Sequence, residues 1–249
     1  MNGVMIDAEA LKEFLDKAEP FIPEDAFGSW ADHLDRRLRS ANQQFDLIKQ
    51  SRGDPGRLPW HLIPATRRLP AAERERGAER AYALARLAES GNGQQFWESV
   101  DNWEERPKWA LEWATYWFYL ANPERAPWWT RWLYNPGNQT GAFLLLLDDP
   151  RVMEPRVPPS QQYGQIAQGM GILGAVLESI HRLPRVPDSH RPMICLSLVY
   201  AVYMFTVTSW RMTTEFTQVL PPFARVVEGL LGIRHGEGVQ LEQRESQKL

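Results

Sequence analysis

Met193–Trp210, MICLSLVYAVYMFTVTSW, carries no charge for 18 residues and is bracketed by Arg191 and Arg211. Its reading decides the fold. A stretch of this length is the lower edge of what crosses a hydrocarbon core of about 30 Å as a helix. The alternative is a central helix buried on all sides by its neighbours. Ser197, Thr206, Thr208 and Ser209 fall inside the run, and the chain offers no second strong span, so the buried helix is the preferred reading. Membrane association by insertion of 193–210 is the rival.

Working outward, the surroundings of this run are also poor in charge. Residues 161–234 hold 4 acids and 6 bases, whereas 1–50 hold 10 acids and 6 bases. The segment 161–234 therefore reads as the apolar core. Helices are expected at about 160–182, 190–216 and 221–233, and 235–249 reads as a flexible tail. Residues 1–52 read as amphipathic helices and a candidate N-terminal subdomain. Asp7 is placed to cap the first helix, with Leu11, Phe14, Leu15 and Ala18 on one face. Trp30, Leu34, Leu38, Ala41, Phe45 and Ile48 recur at three- and four-residue steps, predicting one helix to about Gln50. Four prolines and two glycines make 53–70 a loop and a candidate boundary. Pro70 opens, as a first helical residue, an Ala/Glu/Arg-rich helix to about Ser90. Shorter helices are expected at 94–103, 107–121 and 127–134. Ala142–Asp148 lacks β-branched residues and reads as helix, followed by a proline-stiffened connection over 150–159. The expectation is all-α: a single helical domain of about eight to ten helices around a buried C-terminal half, with 71–234 as its main body.

The chain has 249 residues, a net charge of −3 and a pI near 6.0, which argues against a surface that attracts nucleic acid everywhere. One cysteine, Cys195, cannot form an intrachain disulfide and reads as a small core residue. The acidic first 30 residues lack the apolar region of a secretory signal, so a cytoplasmic location is expected. The sequon at Asn138–Thr140 then carries no weight.

The strongest compositional signal is aromatic. Phe96–Tyr134 holds 13 aromatics in 39 residues, including 8 of the 11 tryptophans. Trp109, Trp113 and Trp117 share a helix face; Trp128, Trp129 and Trp132 place further rings nearby. The interleaved charges are of both signs, unlike a phosphate-tracking groove. Core packing with a protein-facing patch is the preferred reading. Residues 51–95 collect 8 arginines, a solvated face by default and otherwise a contact for phosphates or an acidic partner. Arg67 and Arg68, in the loop, are the freest of them.

Two weaker patterns complete the inventory. In LLLLDDPRVME, Asp148 and Asp149 follow an apolar stretch, with Glu154 beyond them. This resembles the aspartate-rich, magnesium-binding motif of all-α isoprenoid synthases over seven residues. The resemblance implies a divalent-metal site at Asp148, Asp149 and Glu154. The chain departs from that family at Pro150, which interrupts the helix, and in having no second acidic motif downstream. Gly169–Gly174 matches the dinucleotide-binding glycine spacing, but no strand precedes it. A helix whose small residues Gly164, Ala167, Gly171, Gly174 and Ala175 admit a close neighbour explains the run better. Scattered histidines, no nucleophile elbow and no P-loop remove the common catalytic sets.

The sequence thus points to a non-catalytic helical subunit or adaptor of a larger protein or ribonucleoprotein assembly, without a cofactor. Its expected contacts are Arg67, Arg68, Trp128, Trp129, Arg131 and Trp132, because tryptophan and arginine dominate interface hot spots. A protein partner is expected, with nucleic acid as a second possibility through 51–95. A small-molecule enzyme using a divalent metal at the acidic cluster is the alternative.

Overall fold

The protein is described by a computed structural model covering residues 4–62, 66–122, 126–153, 156–211 and 221–233. The expected tail and the end of the helix read to residue 216 lie outside these residues. Helix α1 (Ala8–Ala18) begins where the Asp7 carboxylate accepts hydrogen bonds from the Glu9 and Ala10 N–H groups. That capping satisfies two of the four donors a helix start leaves open. Leu11, Leu15 and Ala18 are buried along its inner face.

The single helix expected from Trp30 to Gln50 is two: α2 (Ala26–Arg39) and α3 (Ala41–Ser51). The break falls at Ser40, whose hydroxyl donates to the Arg37 carbonyl at 2.8 Å. The continuous apolar spacing conceals a change of partner. Trp30 and Leu34 belong to one apolar cluster, and Leu38, Phe45 and Ile48 pack in another. One straight helix could not face both.

Helix α4 (Ala71–Glu89) starts one residue after Pro70, which stands at the cap rather than inside the helix. Its buried face is made of small residues, Gly77, Ala78, Ala81, Ala85 and Ala88, with Leu84. They allow α6 (Ala110–Ala121) to close on α4, and α5 (Gly93–Asp101) packs beside them. A Cβ at Gly77 would lie 2.5 Å from Cζ2 of Trp109, so this glycine is required by packing.

The helix expected at 127–134 is absent; Ala126–Thr130 is irregular and Arg131–Leu133 forms a turn. Its carbonyls are taken by distant donors. The Tyr163 hydroxyl donates to Pro127 O (2.7 Å), Thr115 Oγ1 to Trp129 O (3.4 Å), and the N–H groups of Ala142 and Phe143 to Trp132 O and Leu133 O. A helix would need the Pro127 and Trp129 acceptors for itself. Phe143–Leu146 is a short 3-10 helix, and Leu147 then pairs with Ile6 in an isolated antiparallel bridge. The helical reading of Ala142–Asp148 holds for its middle only.

Helices α7 (Pro159–Ser179), α8 (Arg191–Arg211) and α9 (Phe223–Leu230) complete nine α-helices among the described residues, where β-pairing is confined to isolated bridges. Helix α8 lies against α1, α7 and α9. Ile194, Cys195, Leu196, Leu198, Val199 and Ala201 have no exposed surface. Ser197 and Thr206 satisfy their hydroxyls on the carbonyls of Ile194 and Val202. Among the described residues, no helix is long and apolar enough to cross a membrane. One apolar cluster joins α1, the start of α2, most of the buried residues of 126–153, α7, α8 and α9; the other joins α3, α4, α5, α6, Trp60 and Trp128. Trp97, Phe118 and Met193 pack against both.

Complete burial pushes the Cys195 thiol well above its usual range. Alkylation by iodoacetamide is therefore expected only through unfolding, at a rate that rises with denaturant as unfolding does. Rapid labelling under native conditions would contradict the burial of α8.

Candidate functional site

The aromatic block is mostly interior. Trp113 and Trp117 are fully buried and Trp109 nearly so. Trp60, from the proline-rich loop, meets Trp113 at 5.0 Å and Trp109 edge-on at 5.3 Å; Phe45 meets Trp117 at 5.1 Å. Trp113 Nε1 donates to Ala81 O at 3.0 Å, tying α6 to α4. Trp128 and Trp129 are only 6% and 4% exposed, so their rings face the interior. Arg37 stacks on Trp128 with its guanidinium carbon 4.6 Å from the ring centre.

Trp132 differs. It is half-buried, and its ring lies 6.1 Å from Tyr200. Tyr200 in turn stacks on Tyr203 at 5.9 Å and 28°. Tyr203 is 37% exposed, which makes the three rings an aromatic strip running from the 126–132 segment onto the outer face of α8. Arg131, which precedes Trp132 in the chain, is exposed and held by Glu112 (3.1 Å) and the Lys108 carbonyl (2.8 Å). Burial raises the Glu112 carboxyl pKa, and Arg131 opposes that shift. Strip and arginine together combine two of the expected residues, Arg131 and Trp132, with two that sequence reading missed. Tyr200 and Tyr203, three apart inside the apolar run, were the available signal.

Arg67 and Arg68 lie in the turn before α4, the first half-buried and the second exposed. The Arg67 carbonyl accepts from Arg74, and Thr66 beside it donates to Trp60 O. Within the remaining arginine-rich region, Arg80 donates to the Ser99 carbonyl and Arg86 pairs with Glu89. These arginines secure local structure as well as facing solvent.

Asp149 accepts from the backbone N–H of Arg151 and from both arms of its guanidinium, at 2.8 and 3.0 Å, which lowers its pKa. Asp148 is exposed, and Glu154 lies outside the described residues. Among the described residues no three His, Cys, Asp or Glu side chains gather to hold a metal ion.

Behind the strip lies a cleft of about 370 Å³, between α2, α7, the 126–132 segment, the start of α8 and the end of α9. Leu34, Met170, Trp128, Trp132, Met193 and Leu231 form its apolar wall. Its floor is the small face of α7: Ala167, Gly171, Gly174 and Ala175. A Cβ at Gly171 would touch nothing within 4 Å, while one at Gly174 would just meet Pro192. Most of the small stripe thus opens space, and the close approach expected of it occurs instead at Gly169, against Phe143.

The polar groups around the cleft are anchored. Arg37 Nη2 donates to Leu231 O at 2.8 Å. His190, 3% exposed, has Nε2 2.7 Å from Asp35 Oδ1. Arg191 Nη2 donates to Val186 O and pairs with Asp188. Burial pushes the Tyr119 hydroxyl up to about 12, against the pull of Arg37. Compared with protein-family models, curated protein sequences and solved structures, the chain matches none.

Proposed function

We propose that this chain is a non-catalytic helical subunit or adaptor of a larger protein or ribonucleoprotein assembly. The observation that carries this reading is the strip of Trp132, Tyr200 and Tyr203, with Arg131 preceding Trp132 in the chain. Aromatic rings with one polar end bury large areas at little entropy cost, and an anchored arginine presents its donors without further ordering. Trp128 and Trp129, buried members of the same segment, anchor it to the interior. Arg67 and Arg68 form a second contact region, on the α4 side of the fold. The partner at the strip is a protein surface with an apolar patch and an acidic rim, complementary to the rings and to Arg131.

The test is native mass spectrometry of the chain purified from its own host at low salt, alongside Tyr203→Asp. Tyr203 is exposed, so the variant keeps its fold, as circular dichroism would verify. The parent is expected to carry a protein at fixed stoichiometry that Tyr203→Asp loses. A bare parent chain, or a partner held equally by the variant, rejects the reading.

A further inference from the structure

We propose that the cleft and the aromatic strip form one groove, and that it takes an extended, proline-rich segment of the protein partner with a basic residue at one end. This rests on the assembly reading above and specifies what the partner presents there. The two features are continuous. Trp132 belongs both to the cleft wall and to the strip. On α8, Met193 of the cleft wall lies seven residues, or two turns, before Tyr200 and so shares its face, and Tyr203 follows three residues on. The groove is also long and slim. Its floor runs along α7 from Ala167 to Glu178, about 16 Å at the helical rise. Spread over that length, 370 Å³ makes a channel narrower than the roughly 10–12 Å diameter of a helix, so an extended chain is what fits.

The chemistry of the lining selects the conformation. An extended chain with free N–H groups pairs with a sheet edge, and among the described residues β-pairing is confined to isolated bridges. A polyproline II segment needs no such edge: it has no internal hydrogen bonds, proline brings no N–H, and its carbonyls remain as acceptors. The strip supplies the complement. Its rings offer apolar faces, and among the described residues the Tyr200 and Tyr203 hydroxyls and Trp132 Nε1 have no hydrogen-bond partner, which leaves three donors. Charge selects the end residue. Arg37 is held by the Leu231 carbonyl, Arg191 by Asp188 and the Val186 carbonyl, and His190 by Asp35. Glu178, exposed at the end of the floor, has no side-chain partner among the described residues. The unspent charge of the groove is therefore negative, and an arginine or lysine beside the prolines answers it.

Fluorescence anisotropy with a labelled peptide of one arginine followed by eight prolines tests the proposal. A glycine–serine peptide of the same length and an octaproline headed by alanine are the controls. The arginine-headed peptide is expected to bind saturably, tighter than about 1 mM, and the glycine–serine peptide about tenfold more weakly or worse. Tyr203→Ala should weaken both proline peptides about tenfold. Glu178→Gln should weaken the arginine-headed peptide about threefold and leave the alanine-headed one unchanged. Gly171→Leu should abolish binding by filling the floor. It should leave the melting temperature unchanged or higher, because its Cβ meets open space and leucine is the better helix former. The proposal is overturned by no saturable binding, by a glycine–serine peptide bound equally well, by an arginine head that adds nothing, or by binding that survives Gly171→Leu. A host partner that Tyr203→Asp loses, without any peptide binding, also overturns it and leaves the assembly reading standing. A bare chain from the host rejects that reading instead.

Discussion

Trp113→Ala is expected to lower stability by about 3–5 kcal/mol, a large part of the whole for a domain of ordinary stability. Its ring is fully buried and touches Trp60, Trp109 and Trp117, so truncation opens a cavity that three other large rings cannot collapse to fill. The substitution also removes the indole's hydrogen bond to the Ala81 carbonyl, which ties α6 to α4 in addition to that carbonyl's own helical bond. Urea denaturation followed by circular dichroism measures the change. Trp113→Phe separates the two contributions: it keeps much of the volume, loses the hydrogen bond and should cost clearly less. A loss below about 1 kcal/mol for the alanine variant would mean that the ring is not the centre of the second apolar cluster.

Gly169→Ala is expected to destabilise by about 3 kcal/mol, at the upper end of what overpacking costs. A Cβ built there would lie 1.8 Å from Cζ and 2.5 Å from Cε1 of Phe143. The Phe143 ring is itself 1% exposed and cannot step aside without opening the α7 contact. The control is two residues away. Gly171→Ala meets open space on the same helix and should be neutral or stabilising by about 0.5–1 kcal/mol. Thermal melts of the two variants should therefore move in opposite directions. Parallel shifts would contradict the placement of α7 against Phe143.

The helices were legible where local signals and tertiary packing agree. Asp7 caps the helix it was expected to cap, and Pro159 opens α7 within a residue of its expected start. Reading failed where long-range contacts overrode the local pattern. Ala126–Leu133 follows a helix-start signal, yet its carbonyls are claimed by Thr115, Ala142, Phe143 and Tyr163. The periodic face from Trp30 to Ile48 looked like one helix because spacing does not say that its halves face different cores. For the candidate site, Arg131 and Trp132 were visible as members of an aromatic, arginine-bearing block. Tyr200 and Tyr203 were hidden inside a run with no charged face. The cleft was not legible at all, because its lining comes from positions between Leu34 and Leu231 and no short spacing relates them.

The central claim is that the tryptophan surplus is mostly core, and that partner binding falls to the strip on α8. Hydroxyl-radical footprinting of the chain, free and in the assembly purified from its host, tests it most directly. In the free chain Tyr203 and Trp132 should be modified while Trp113, Trp117, Trp128 and Trp129 stay protected, and in the assembly Tyr203 and Trp132 should become protected too. Modification of Trp128 and Trp129 in the free chain, or a Tyr203 equally reactive in both states, would contradict the account.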